Sequence, residues 1–165
     1  MKNWERRVFG TLTLGGGYLG LVMWAILLFG PDVLLAKLLS VPFMLLYAWG
    51  IYSGVQLIEG QGKGLASASW YWLIQVPSFT SPVLGYLFTN GAYALVIYTP
   101  SASSWSSHFI FGSKFEYSIM QADKPVSFGI NLFALLVAAI LFWRFRQAHM
   151  AMHPAPSAEP VAALP

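Results

Sequence analysis

The sequence predicts a mainly α-helical integral membrane protein: four transmembrane helices, at about 8–29, 33–58, 65–85 and 126–146, with a small antiparallel β-meander at about 86–119 on the outer face. Three observations carry that prediction. Of 165 residues, 57% are hydrophobic and 9% charged, against about 25% charged in ordinary soluble domains. The apolar residues fall in blocks of the ~20 residues that a helix needs to cross a bilayer. Residues 64–113 contain no Asp, Glu, Lys or Arg, a run too long for a surface loop, and its pattern changes from helical to alternating along its length.

The first block follows Lys2, Glu5, Arg6 and Arg7. It exceeds the roughly 7–15 apolar residues of a signal sequence and ends on Gly30 and Pro31 rather than a cleavage site, so it reads as an uncleaved anchor. Gly15, Gly16, Gly17 and Gly20 invite comparison with a phosphate loop, but no Lys-Ser or Lys-Thr follows. Gly16 and Gly20 instead suit close approach of a second helix. In the second block Lys37 sits near the outer end, where it can snorkel, and Pro42 is expected to kink the helix. Gly50 and Gly54 repeat the small-residue spacing, so the two spans are expected to pack as an antiparallel hairpin.

A polar turn from Glu59 to Gly64 leads to the third block, where Trp70, Tyr71 and Trp72 precede Pro77 and Pro82. Two prolines so close mark a break, placed after Val76. Asn90-Gly91, between aromatic and β-branched flanks, is the strongest short-range hairpin signal in the chain. Further on, Phe109, Phe111, Phe115, Tyr117 and Ile119 alternate with polar Lys114, Glu116 and Ser118, the period of a strand buried on one side. The last span opens at Asp123 and Pro125 and exits at Arg144 and Arg146, with Asn131 its one strongly polar interior residue. Residues 1–147 thus form one membrane domain, and residues 148–165 read as a disordered Pro/Ala-rich cytoplasmic tail.

Lys2, Arg6 and Arg7 mark the start of the chain as cytoplasmic, and Arg144 and Arg146 do the same for its end. An even number of crossings follows. The uncharged stretch is therefore expected to add one crossing to the three clear ones. The localisation this predicts is a bacterial inner membrane with both termini cytoplasmic.

Chemistry is sparsely signalled. The absence of cysteine excludes disulfides and thiol catalysis. Basic residues flank the apolar blocks and form no patch, so nucleic acid is not an expected partner. His149 and His153 share a helical face but lack a third ligand, and no metal or other cofactor is expected. Ser106, Ser107, His108, Glu116 and Asp123 permit a hydrolase arrangement on paper, which serine-rich loop composition explains more simply. The reading preferred is a small non-catalytic membrane protein acting through protein or lipid contacts, as an accessory subunit or an immunity-type protein. Gly16, Gly20, Gly50 and Gly54 are its helix-packing residues, and Phe109, Phe111, Phe115 and Tyr117 its candidate docking face. The expected partners are the bilayer and a membrane or periplasmic protein, and a homo-oligomer is compatible. The alternative is small-solute transport along a polar path of Lys37, Asn131 and the broken third helix.

Overall fold

The computed structural model describes residues 1–31 and 34–152. Helix α1 (Asn3–Phe29) and helix α2 (Leu34–Glu59) form an antiparallel pair. A Cβ at Gly10 would strike Ile58, and one at Gly20 would strike the Tyr47 ring, so residue numbers rise along one helix as they fall along the other. Arg6 donates to the carbonyls of Leu57 (3.2 Å) and Ile58 (2.7 Å), capping the end of α2 with a cation where the helix dipole favours one. Glu5 and Arg144 form an ion pair at the same end.

Helix α3 (Gly62–Ile74) has 13 residues, about 20 Å. It runs back beside α2 from Gly64, packed on the backbone of Gln56, to Tyr71, packed on Gly50. There it stops. Pro77 lacks an N–H and steers its predecessor out of the helical region, and it becomes the first residue of a strand, a position that suits proline. The expected span at 65–85 is therefore corrected: among the described residues three helices, not four, are long and apolar enough to cross a membrane. The third of these is α4 (Leu132–Met152), which begins later than the predicted residue 126 because the preceding residues are a strand.

The strands are β1 (Pro77–Thr80), β2 (Leu84–Thr89), β3 (Ala92–Thr99), β4 (Ser104–Phe111), β5 (Lys114–Ile119) and β6 (Ser127–Asn131). They form one antiparallel sheet in the order β4-β3-β6-β1-β2-β5. This is larger than the expected meander and differently connected. Asn90 and Gly91 do not turn one strand back onto the next, since β2 and β3 are not partners. The residue numbers of partners add to 203 throughout β2/β5 and β3/β4. Residues 84–119 are thus a single long hairpin that reverses at the short 3₁₀ turn Pro100–Ala102, with Ser103 left-handed at φ 46°.

Asn90 and Gly91, with Gly112 and Ser113 opposite, form the bend where this hairpin folds over. Gly91 and Gly112 adopt φ of 77° and 139°, which side chains resist. The two bent strands stay joined: Gly112 N–H donates to Gly91 O (2.9 Å), and Gly91 N–H donates to Ser113 Oγ (3.1 Å). Beyond the bend the two arms part, and β6 and β1 lie between them. Thr89 and Ala92 are three Cα steps apart, at most about 11 Å. Strands three places apart in a flat sheet are about 14 Å apart. The sheet curls, since Leu95 and Ile97 of β3 line one cavity with Glu116 and Ser118 of β5, four places away in the strand order.

The bend is seated against the middle of α1. Asn90 Nδ2 donates to Thr13 O (3.2 Å), and Ser113 Oγ donates to Gly16 O (2.6 Å). From there the β2/β5 arm lies along the first half of α2. Phe43 stacks on Tyr86, Phe115 and Tyr117, and Tyr117 donates to Ala36 O (2.7 Å). One end of the molecule is thus a four-helix layer and the other a sheet on two helices. Tyr47, Tyr71, Trp72, Phe88 and Leu141, all buried, join the two layers.

Candidate functional site

The register sorts the sheet's side chains onto two unlike faces. Trp105, Tyr98, Phe128, Phe79, Tyr86 and Tyr117 are consecutive partners, so one aromatic row crosses all six strands on the convex face. The concave face carries Ser78, Thr80, Gly85, Ser118, Ser127 and Gly129, small residues that allow the sheet to close inward. A Cβ at Gly129 would strike Ser78 Oγ, and one at Gly85 would lie 2.2 Å from Ser118 Oγ.

Within the curl lies a cavity of about 310 Å³, lined by hydroxyls, by Glu116 and Lys124, and by the apolar Leu87, Leu95 and Ile97. Ser118 is 9% exposed, and its Oγ has no hydrogen-bond partner among the described residues. Glu116 is paired with Lys114 at 2.7 Å. On the convex side an apolar cavity of about 470 Å³ is lined by Leu39 and Phe43 of α2 and by Phe79, Tyr86 and Tyr117 of the sheet.

All eight residues of β4 are exposed, with Phe109 and Phe111 at 60% and 78%. Among the described residues no strand pairs with its outer edge. Nor does β4 contain the lysine, proline or other charge by which exposed edges are ordinarily blunted.

The residues singled out in sequence are distributed as follows. Gly20 and Gly54 do serve the α1–α2 contact, together with Gly10 and Gly17, whereas Gly16 receives Asn90 of the bend and Gly50 receives Tyr71 of α3. Lys37 donates to Gly30 O (2.9 Å) at the α1–α2 connection. Asn131 does not lie inside a span: it ends β6, is fully buried, and its Oδ1 accepts from Ala94 N (3.2 Å) and Ala134 N (3.3 Å), capping α4. Neither lines the concave cavity, the apolar cavity or a third cavity between the start of α1 and the end of α4.

The candidate docking face is split by the bend: Phe109 and Phe111 are on edge strand β4, and Phe115 and Tyr117 on the opposite edge strand β5, packed on Phe43. Ser106, Ser107 and His108 are likewise on β4 and Glu116 on β5, at opposite ends of the strand order. His149 lies against Phe145, and His153 falls outside the described residues. Among the described residues no three His, Asp or Glu are grouped to hold a metal ion. The aromatic row, the concave cavity and the bare edge all depend on which strands are neighbours, so period-two alternation alone gave no signal for them.

Fold and site together define a class: a chain with, among the described residues, three helices of membrane-crossing length and a curled six-stranded antiparallel sheet set end to end with a helical layer. Comparison with family models, with characterised proteins and with solved structures returns no match.

Proposed function

We propose that this chain is a non-catalytic integral membrane protein, of bacterial inner-membrane type, that works by contact: edge strand β4 takes a strand from another membrane polypeptide, in the manner of an accessory subunit. The observation that carries this reading is the unpaired β4 edge, taken with its depth. Arg6 grips α2 at Leu57, and the aromatic row meets α2 through Tyr117 at Ala36. Those two levels are about 32 Å apart along the helix, against a hydrocarbon core of about 30 Å.

In this placement the basic residues Lys2, Arg6, Arg7, Lys63, Arg144 and Arg146 gather at the cytoplasmic end and the aromatics form an interfacial girdle at the other. β4 then runs from the girdle, at Trp105, toward mid-depth, at Phe111. Unpaired backbone groups facing hydrocarbon cost several kcal/mol each, as an order of magnitude, so the edge calls for a partner strand. A second copy is a poor source. Two copies in the same membrane orientation are related by an axis along the membrane normal, which sets their upright β4 strands parallel with like edges facing, out of hydrogen-bonding step.

The test is photo-crosslinking in native membranes, with p-benzoylphenylalanine replacing Phe109 or Phe111 and, as the lipid-facing reference, Phe29, which is 87% exposed. A discrete polypeptide adduct from the β4 positions and none from position 29 is expected. Equal yields from all three would sink the reading. Transport of a small solute is the second reading, favoured by a short helix, α3, that hands the chain to β1, whose Ser78 and Thr80 line the polar cavity; solute flux in proteoliposomes measures it directly.

A further inference from the structure

We propose that the concave cavity binds a small zwitterion in which an ammonium and a phosphate are joined by a short chain, the chemistry of phosphoethanolamine. Volume, charge and one unsatisfied group point the same way. At about 310 Å³ the cavity is at the small end of ligand sites and accommodates a headgroup-sized molecule. Glu116 supplies a carboxylate for the ammonium, and Lys124 an ammonium for the phosphate. Lys124 has no ion-pair partner among the described residues, whereas Glu116 has a second lone-pair-bearing oxygen beyond the one bonded to Lys114.

Ser78, Thr80 and Ser127 add hydroxyls that donate or accept as the ligand requires. Ser118 is the sharpest pointer. Its hydroxyl lies in the cavity wall above side-chain-free Gly85, buried and unpartnered, and an unsatisfied buried hydroxyl is costly unless something fills the cavity and bonds to it.

The same group occurs free in solution and as the headgroup of phosphatidylethanolamine. The cavity shares Phe79, Tyr86 and Tyr117 with the aromatic row, so the lipid source rests on the bilayer placement proposed for β4, and the free source does not.

The chain has no cysteine, so a single introduced thiol reports on the cavity alone. Ser127→Cys is the primary probe, Ser118→Cys a second in case the first disturbs β6, and Ala102→Cys an exposed reference. Maleimide labelling rates are measured in maltoside micelles with O-phosphoethanolamine, with inorganic phosphate, or with neither. They are measured again in vesicles of phosphatidylethanolamine or of phosphatidylglycerol. A ligand present at ten times its Kd slows labelling of a covered thiol by about tenfold. That slowing is expected at positions 127 and 118 but not 102, and Lys124→Glu should abolish it.

Protection by O-phosphoethanolamine establishes the site. Additional protection in phosphatidylethanolamine but not phosphatidylglycerol vesicles assigns it to the lipid, and protection in those vesicles alone supports the lipid source. Equal protection by inorganic phosphate overturns the zwitterion assignment, and no protection in any arm overturns the site.

Discussion

Two adjacent glycines in α1 should respond oppositely to the same substitution. A Cβ on Gly16 would lie 2.5 Å from Asn90 Nδ2 and 2.6 Å from the backbone nitrogen of Gly91, and the latter cannot rotate away. Gly16→Ala therefore pushes the hairpin bend off the helix. Overpacking costs about 1–3 kcal/mol. The Asn90–Thr13 and Ser113–Gly16 hydrogen bonds are each worth about 0.5–1.5 kcal/mol and are weakened with it. A loss of about 2–4 kcal/mol is expected.

A methyl group on Gly15, by contrast, would meet nothing within 4 Å. Gly15→Ala should therefore gain the helical preference of alanine, about 0.5–1 kcal/mol. Equilibrium unfolding in maltoside micelles, followed by tryptophan fluorescence, reads both variants. If the two fall within about 0.5 kcal/mol of each other, the bend is not seated on α1 and the fold is wrong.

Three further outcomes rest on single contacts. Tyr71 is fully buried with no hydrogen-bond partner for its hydroxyl among the described residues, so Tyr71→Phe should raise stability by about 1 kcal/mol in the same unfolding experiment; a loss of that size would reveal a hidden partner. Thr13 accepts from the Trp72 indole at 2.9 Å, so Thr13→Val should cost about 1–3 kcal/mol while Thr13→Ser stays near the parent. In sealed vesicles of uniform orientation, an impermeant maleimide should reach Gln147→Cys and Ala102→Cys from opposite sides, and labelling of both from one side would remove the bilayer placement.

The helices were legible because their cause is local. Apolar blocks of spanning length and their charged flanks are properties of neighbouring residues, and α1, α2 and α4 appear close to where those blocks lie. The Glu5–Arg144 pair brings the start of α1 and the later part of α4 to one end of the molecule, and between α2 and α4 the chain runs through half-length α3 and the sheet rather than through a further long helix. The proline break does fall after Val76, and the chain enters β1 at the very next residue.

Asn90-Gly91 misled because a left-handed residue serves a bend in a continuing hairpin as well as a reversal. Asn131 misled for a related reason: a polar residue at the start of an apolar run is also a helix cap. Phe109, Phe111, Phe115 and Tyr117 do share one face of the sheet, as their alternation implies, but the strand order places the two pairs on opposite edge strands, which alternation cannot show. No local pattern marks residues 127–131 as a strand between β1 and β3, since its partners lie some 30 to 50 residues earlier in the chain.

That central strand has a consequence for the order in which the protein is made. The pairing of the hairpin's own two strands over residues 84–119 is local to it, so it can close as soon as it has been synthesised. β6 is the last strand in the chain yet occupies the middle of the sheet. Until it arrives, β1 and β3 each present an open edge, and the two arms have nothing to hold them at their proper separation. Delivery of β6 is tied to delivery of α4, because Asn131 ends the one and caps the other. Insertion of the final helix is thus the step that locks the sheet, and a nascent chain halted at Lys124 should leave the hairpin sensitive to protease where the finished chain is resistant.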